Sequence, residues 1–232
     1  MTETGGATVP LVSLFVKRAV YERFGGIMAL GTKQALSIVF HAADEYRDNL
    51  ANRSVLFLSV DKQLNVRCME AAFDESNFNH LTGMKTKLSP SHFFSKCLDR
   101  RLSERDFWLA SDGTTELKLR VLQQVVKSDL SARMIGRYNE SRPKLYTEVL
   151  AGGVSASLGF IRDGGSGMYV PNTLLNEDVR SLTTGKPDRI VLTLRKDRAD
   201  EEYAEVVYVA KNVDWERVEL PEAIRHIQIP GR

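Results

Sequence analysis

The chain contains only two cysteines, Cys68 and Cys97, with no CxxC pair and no histidine at metal-ligand spacing. That scarcity excludes a disulfide scaffold and a cysteine-based zinc site, so both thiols read as small buried hydrophobes. Long apolar runs are missing too. The best, Ile27 to Leu30 and Val55 to Leu58, fall far short of the roughly 20 residues that cross a bilayer. The opening MTETGGATVPLVSLFVKRAV sets Glu3 and two glycines before a short apolar stretch, the reverse of the basic-then-apolar order of a secretory signal. A cytoplasmic protein without a membrane segment is expected. Charge of one sign is also lacking: 32 Lys and Arg face 30 Asp and Glu, a net of +2 that by itself names no polyanionic partner. GxxxxGK[ST], HExxH, GxSxG and a DxD-type carboxylate pair are absent, which weighs against nucleotide hydrolysis and zinc chemistry.

What remains is ordinary globular material: 232 residues, 43% hydrophobic and 27% charged, with no biased tract and no internal repeat. Leu11, Leu14, Phe15, Ala19 and Val20 recur at helical spacing before Gly25 and Gly26. A second helix starts at Thr32 and carries Ala35, Leu36, Val39, Phe40 and Ala43 to Asn49. Ser54 to Val60, then Leu64, Val66 and Cys68, make a hairpin around Asp61 and Lys62. Ser89-Pro90 opens a helix with Phe93, Phe94, Cys97 and Leu98 on one side. Ser103 with Asp106 has capping-box spacing, and Asp112 caps a helix bearing Leu117, Val121, Leu122 and Val125.

Beyond Arg133 the period becomes two. Val154, Ala156, Leu158 and Phe160 alternate with Ser155, Ser157 and Gly159, and Ile190, Leu192 and Leu194 pair by hairpin with Tyr203 to Val209. The alternation places Tyr146, Glu148, Ser155 and Ser157 on an open polar face, and Gly152-Gly153 reads as a bulge or tight hairpin. Pro171-Asn172-Thr173 reads as the start of a short helix running to Leu182, with Thr173 at an N-terminus that attracts phosphate. Helices followed by antiparallel strands predict an α+β fold, with the helices on one face of an antiparallel β-sheet. Between Lys85 and Lys144, thirteen Lys and Arg face seven Asp and Glu, so the basic excess is central.

The ordered motifs NFNHLTG (77–83), SHFFSKCL, DGTTELKL, SARMIGRYN, RPKLYTEVLAGGVSASLGF and YVPNTLLNEDVRSL resemble the phage- and prophage-associated group of the barnase, EndoU, colicin and RelE-like nuclease superfamily. The resemblance runs from about Leu50 to Lys211. It implies an N-terminal helical segment (1–50), a nuclease domain (51–217) and a C-terminal tail (218–232). It also implies a metal-independent endoribonuclease of toxin or phage-effector type, needing no cofactor, with RNA as substrate and a cognate inhibitor or antitoxin protein as partner. His80, inside the first motif, is then the general acid or base, since an imidazole titrates near neutral pH. Lys85 and Arg133 would neutralise phosphate, and Tyr146, Ser157 and Thr173 would touch substrate. Lys87, Arg137, Arg142, Lys144 and Tyr169 would hold RNA. Two other readings stay open: a non-catalytic phage or host interaction protein that keeps the fold, and a nucleotide-dependent transferase using the polar strand face as its pocket.

Overall fold

A computed structural model describes residues 30–140 and 144–231. The expected helix over Leu11 to Val20 and the residue Arg142 lie outside this range. Helix α1 (Thr32–Asn49) buries Ala35, Val39, Ala42, Ala43 and Tyr46, one stripe at helical spacing. Gly31, not Thr32, occupies its N-cap. Strands β1 (Arg53–Val60) and β2 (Val66–Phe73) form the expected hairpin, registered from Arg53 opposite Phe73 to Val60 opposite Val66. Its turn is held by Asp61, whose Oδ1 accepts the backbone N–H groups of Gln63 (2.8 Å) and Asn65 (3.0 Å).

The motif NFNHLTG is itself a short helix, α2 (Asn77–Thr82), followed by β3 (Lys85–Thr86) and α3 (Pro90–Leu98). Ser89 caps α3 by accepting the His92 N–H at 3.4 Å. The Asp106 carboxylate does accept Ser103 N–H at 2.8 Å, but the loop it closes leads into the two-residue strand β4 (Phe107–Trp108) rather than a helix. Helix α4 (Thr114–Val125) follows.

The second half is β5 (Met134–Arg137), β6 (Val149–Gly152), β7 (Ser157–Arg162), β8 (Tyr169–Leu175), α5 (Val179–Leu182), β9 (Asp188–Asp197) and β10 (Glu205–Val209). The mixed helix and strand content is as expected, but the open antiparallel sheet is not. Long β9 pairs along one edge with β1, while its other edge carries β5 at Asp188 and Arg189 and β10 from Leu192 to Arg195. At the far side β8 meets β2 in parallel through Ala71 and Tyr169. Seven strands therefore close into a barrel in the order β1-β2-β8-β7-β6-β5-β9, with β10 outside on β9. Closure removes the free edges an open sheet would expose.

Closure separates an interior core from clusters packed on the outside of the barrel. Phe57, Phe73 and Phe160 meet edge-on inside, with Phe160 6.1 Å from each partner ring. That interior is continuous with the helical residues Val39, Tyr46, Phe78, Phe93, Phe94 and Leu122. Outside, Leu56, Leu58, Leu192 and Leu194 pack beneath Trp215, Val218, Leu220 and Ile224. Strand β1 is thus buried on both faces, which its unbroken run of apolar residues allows. Residues 218–231, expected as a tail, are packed because Val218, Leu220, Ile224, Ile227 and Ile229 cover this outer face.

Pro171 corrects another expectation. It lies within β8, where the pairing slips so that Phe160 faces Pro171 and Gly159 faces Thr173, and Asn172 is the extra residue of a bulge. A bulge tolerates a proline that cannot donate to the ladder. Helix α5 is confined to Val179–Leu182, so Thr173 is a strand residue and not part of a helix N-terminus.

Candidate functional site

The helix α2 ends in a tightly specified turn. Gly83 adopts φ +67°, the left-handed conformation that closes a helix, and a Cβ there would lie 2.8 Å from the Lys118 Cδ. The methylenes of Lys118 therefore cross directly over Gly83, and its Nζ donates to the His80 carbonyl at 2.7 Å. A cation thus satisfies one of the carbonyls that a helix end leaves unpaired. Thr115 Oγ1 donates to the Gly83 carbonyl at 2.7 Å, tying α4 to the same turn.

His80 itself is exposed. Partial desolvation, then Lys118 and then Lys85, lower its pKa below the ordinary imidazole value, so the ring is neutral and able to accept a proton at neutral pH. Burial, with Lys85 adding and Asp112 opposing, pulls Lys118 down to about 8. Lys85 stands opposite Trp108 across the β3–β4 pair, which puts both side chains on one face of that ribbon. Trp108 is 52% exposed, a large aromatic surface left to solvent. The assembled face offers a neutral imidazole, an amine that titrates close to neutral, a second fixed cation and a stacking platform. Lys118 and Trp108 escape sequence reasoning: a lysine in an amphipathic helix looks like solvated surface, and Trp108 lies 23 residues past Lys85 on a strand of only two residues.

The remaining expected residues lie elsewhere. Lys87 is exposed just after β3. Arg137 and Tyr169 come together at a cavity of about 380 Å³ in the barrel mouth, with Arg67, Arg162 and Lys186. This mouth gathers the Val66 end of β2, whereas α2 follows from its Phe73 end. Tyr146, 85% exposed, and Lys144 line a separate hollow with Glu140 and Glu148. Arg133 is engaged structurally, paired with Asp129 at 2.7 Å and stacked 4.0 Å from the Tyr208 ring centroid. Ser157 does not face an open site: it is fully buried, and its hydroxyl donates to the Glu177 carbonyl at 2.8 Å. Thr173 is buried against Gly159, where a Cβ would lie 2.6 Å from both its Cγ2 and the Thr147 Oγ1. Sequence alternation set Leu158 and Phe160 on the core side, where they are, but took the serine face of β7 as open, whereas the segment from Glu177 through α5 covers it and buries Ser157, and Val154 is 66% exposed.

Among the described residues no three His, Cys, Asp or Glu side chains group as a metal site would require, and no helix is long and apolar enough to cross a membrane. No curated protein and no solved structure matches the chain. A family model does match, over residues 38–212, from within α1 to just beyond β10. With most of the chain and the whole barrel inside that match, the chain belongs to the phage-Barnase-EndoU-ColicinE5/D-RelE like nuclease 4 family.

Proposed function

We propose that this nuclease-family protein is an endoribonuclease that cleaves RNA by acid/base transesterification without a metal, in a toxin or phage-effector role in the cytoplasm. The observation that carries the reading is the convergence of His80, Lys118, Lys85 and Trp108 on one face. Neutral His80 removes the proton from a ribose 2′-OH, and that oxygen forms a bond to phosphorus. The bond from phosphorus to the 5′-oxygen breaks as the Lys118 ammonium gives that oxygen a proton, leaving a 2′,3′-cyclic phosphate and a 5′-OH. Lys85 neutralises the non-bridging oxygens, and Trp108 stacks on a neighbouring base. Protons then pass from His80 back to Lys118 through solvent. A cognate inhibitor that covers this face belongs to the same proposal.

The test is incubation of total bacterial RNA with the purified protein in chelator, beside a His80→Ala variant of matched thermal stability, with products resolved on a denaturing gel. Fragments ending in cyclic phosphate from the wild type, and a rate about 10² to 10⁴ lower from the variant, are expected. Cleavage that disappears with chelator would sink the metal-free mechanism. Intact RNA from both proteins would favour a binding protein that keeps the fold.

A further inference from the structure

The barrel mouth adjoins a second hollow. A second cavity of about 430 Å³, lined by Asp61, Lys62, Leu64 and Arg189, shares Arg67, Lys186, Pro187 and Asp188 with the first of about 380 Å³. The shared residues set the two hollows side by side. Along their length stand Arg162, Arg137, Lys186, Arg67, Arg189 and Lys62, against two carboxylates.

Both carboxylates already have partners. Asp188 binds Arg67 at 2.6 Å, and Asp61 is taken up by its own turn, where hydrogen bonds from Asn65 and Gln63 hold it below the usual carboxylate range. Arg67 remains 63% exposed despite its ion pairs. Among the described residues, Arg137 and Lys186 have no ion pair at all. Tyr169 closes one end, its ring covered by Arg162 at 5.0 Å, and Leu64 supplies an apolar wall at the other.

We infer that this groove binds a single-stranded polynucleotide, with successive phosphates on Arg162, Arg137, Lys186 and Arg67 and one nucleotide unit in each hollow. The ligand class rests on the nuclease reading, whereas the binding itself uses none of the residues placed on the His80 face. A strand with unpaired bases can send a base into each concavity, which a duplex cannot do while its bases stay stacked and paired. Unneutralised cations along the floor make the affinity depend on displaced counterions.

The experiment is fluorescence anisotropy with a labelled eight-nucleotide 2′-O-methyl RNA, which lacks the attacking hydroxyl and stays intact, titrated across a range of salt. Three or four phosphate contacts give a slope of log K against log salt of roughly −2 to −3 for a single strand. Reversing two exposed cations, Arg137→Glu with Lys186→Glu, is expected to weaken binding at least tenfold and to flatten the slope by roughly 1.4. His80→Ala is expected to bind like the wild type. As a second readout, the oligonucleotide slows alkylation of Cys68, which lines the same mouth. Unchanged binding by the charge-reversed protein, or equal binding of an eight-base-pair duplex or of poly-glutamate, overturns the groove. If the oligonucleotide binds at the mouth but no RNA is cut, the nuclease reading fails and the groove stands. If RNA is cut but the reversed variant binds as before, the groove fails alone.

Discussion

The Nζ of Lys118 lies 2.7 Å from the backbone carbonyl of His80, 38 residues earlier in the chain. One lysine therefore closes the C-terminal end of α2 and places a positive charge beside the imidazole on that same helix. The lysine acts on the imidazole electrostatically as well as structurally, because its charge is among the causes that lower the His80 pKa.

The proposed mechanism predicts a bell-shaped pH–rate profile for RNA cleavage. The rate is expected to rise on an acid limb set below the ordinary imidazole range, where His80 loses its proton, and to fall near pH 8, where Lys118 loses its own. Lys118→Met removes the alkaline limb together with most activity, and Lys118→Arg shifts that limb upward. Stability carries the same information. Between about pH 8 and the ordinary lysine value of 10.5, the unfolded chain holds a proton that folded Lys118 has released, so wild-type stability rises with pH relative to Lys118→Met. Urea denaturation of both proteins at pH 7.5 and 10 measures the difference, and a constant gap would contradict the depressed pKa.

Gly83 is the next test. Alanine at its φ of +67° costs roughly 1–2 kcal/mol in backbone strain. The new Cβ would also sit 2.8 Å from the Lys118 Cδ, displacing the amine from the His80 carbonyl. Gly83→Ala is expected to lower the melting temperature and to raise the pH of the alkaline limb. A melt like that of the wild type would show that the turn is not strained.

The two thiols separate cleanly. Cys97 is fully buried and its pKa is pushed up to about 12, whereas Cys68 is exposed in the barrel mouth. Intact-mass analysis after maleimide treatment is expected to show one label per native chain and two after denaturation. Two labels on the native protein would contradict the burial of α3 against the core.

Phe160 joins the barrel walls through edge contacts with Phe57 and Phe73. Phe160→Ala is expected to cost about 3–5 kcal/mol in urea denaturation through the cavity it leaves. A loss under about 1 kcal/mol would mean that the interior collapses around the deletion.

Local sequence signals carried the elements whose causes are local. The apolar stripe of α1, the Ser89-Pro90 start of α3 and the Asp61 turn between β1 and β2 each depend on residues a few positions apart, and all are legible in the chain. The place of His80 on α2 follows from the same local motif, while its catalytic role belongs to the proposal. The tertiary structure alone decided the closure of the barrel. Pairing β9 with β1 joins Arg53 to Asp197, and the β2–β8 contact reverses the expected antiparallel order. It also decided that Lys118 crosses Gly83, that Lys85 faces Trp108, and that Arg67, Arg137 and Lys186 share one mouth. Periodicity reports which face of an element is apolar, but the partner of a polar side chain is set by packing between segments far apart in the chain.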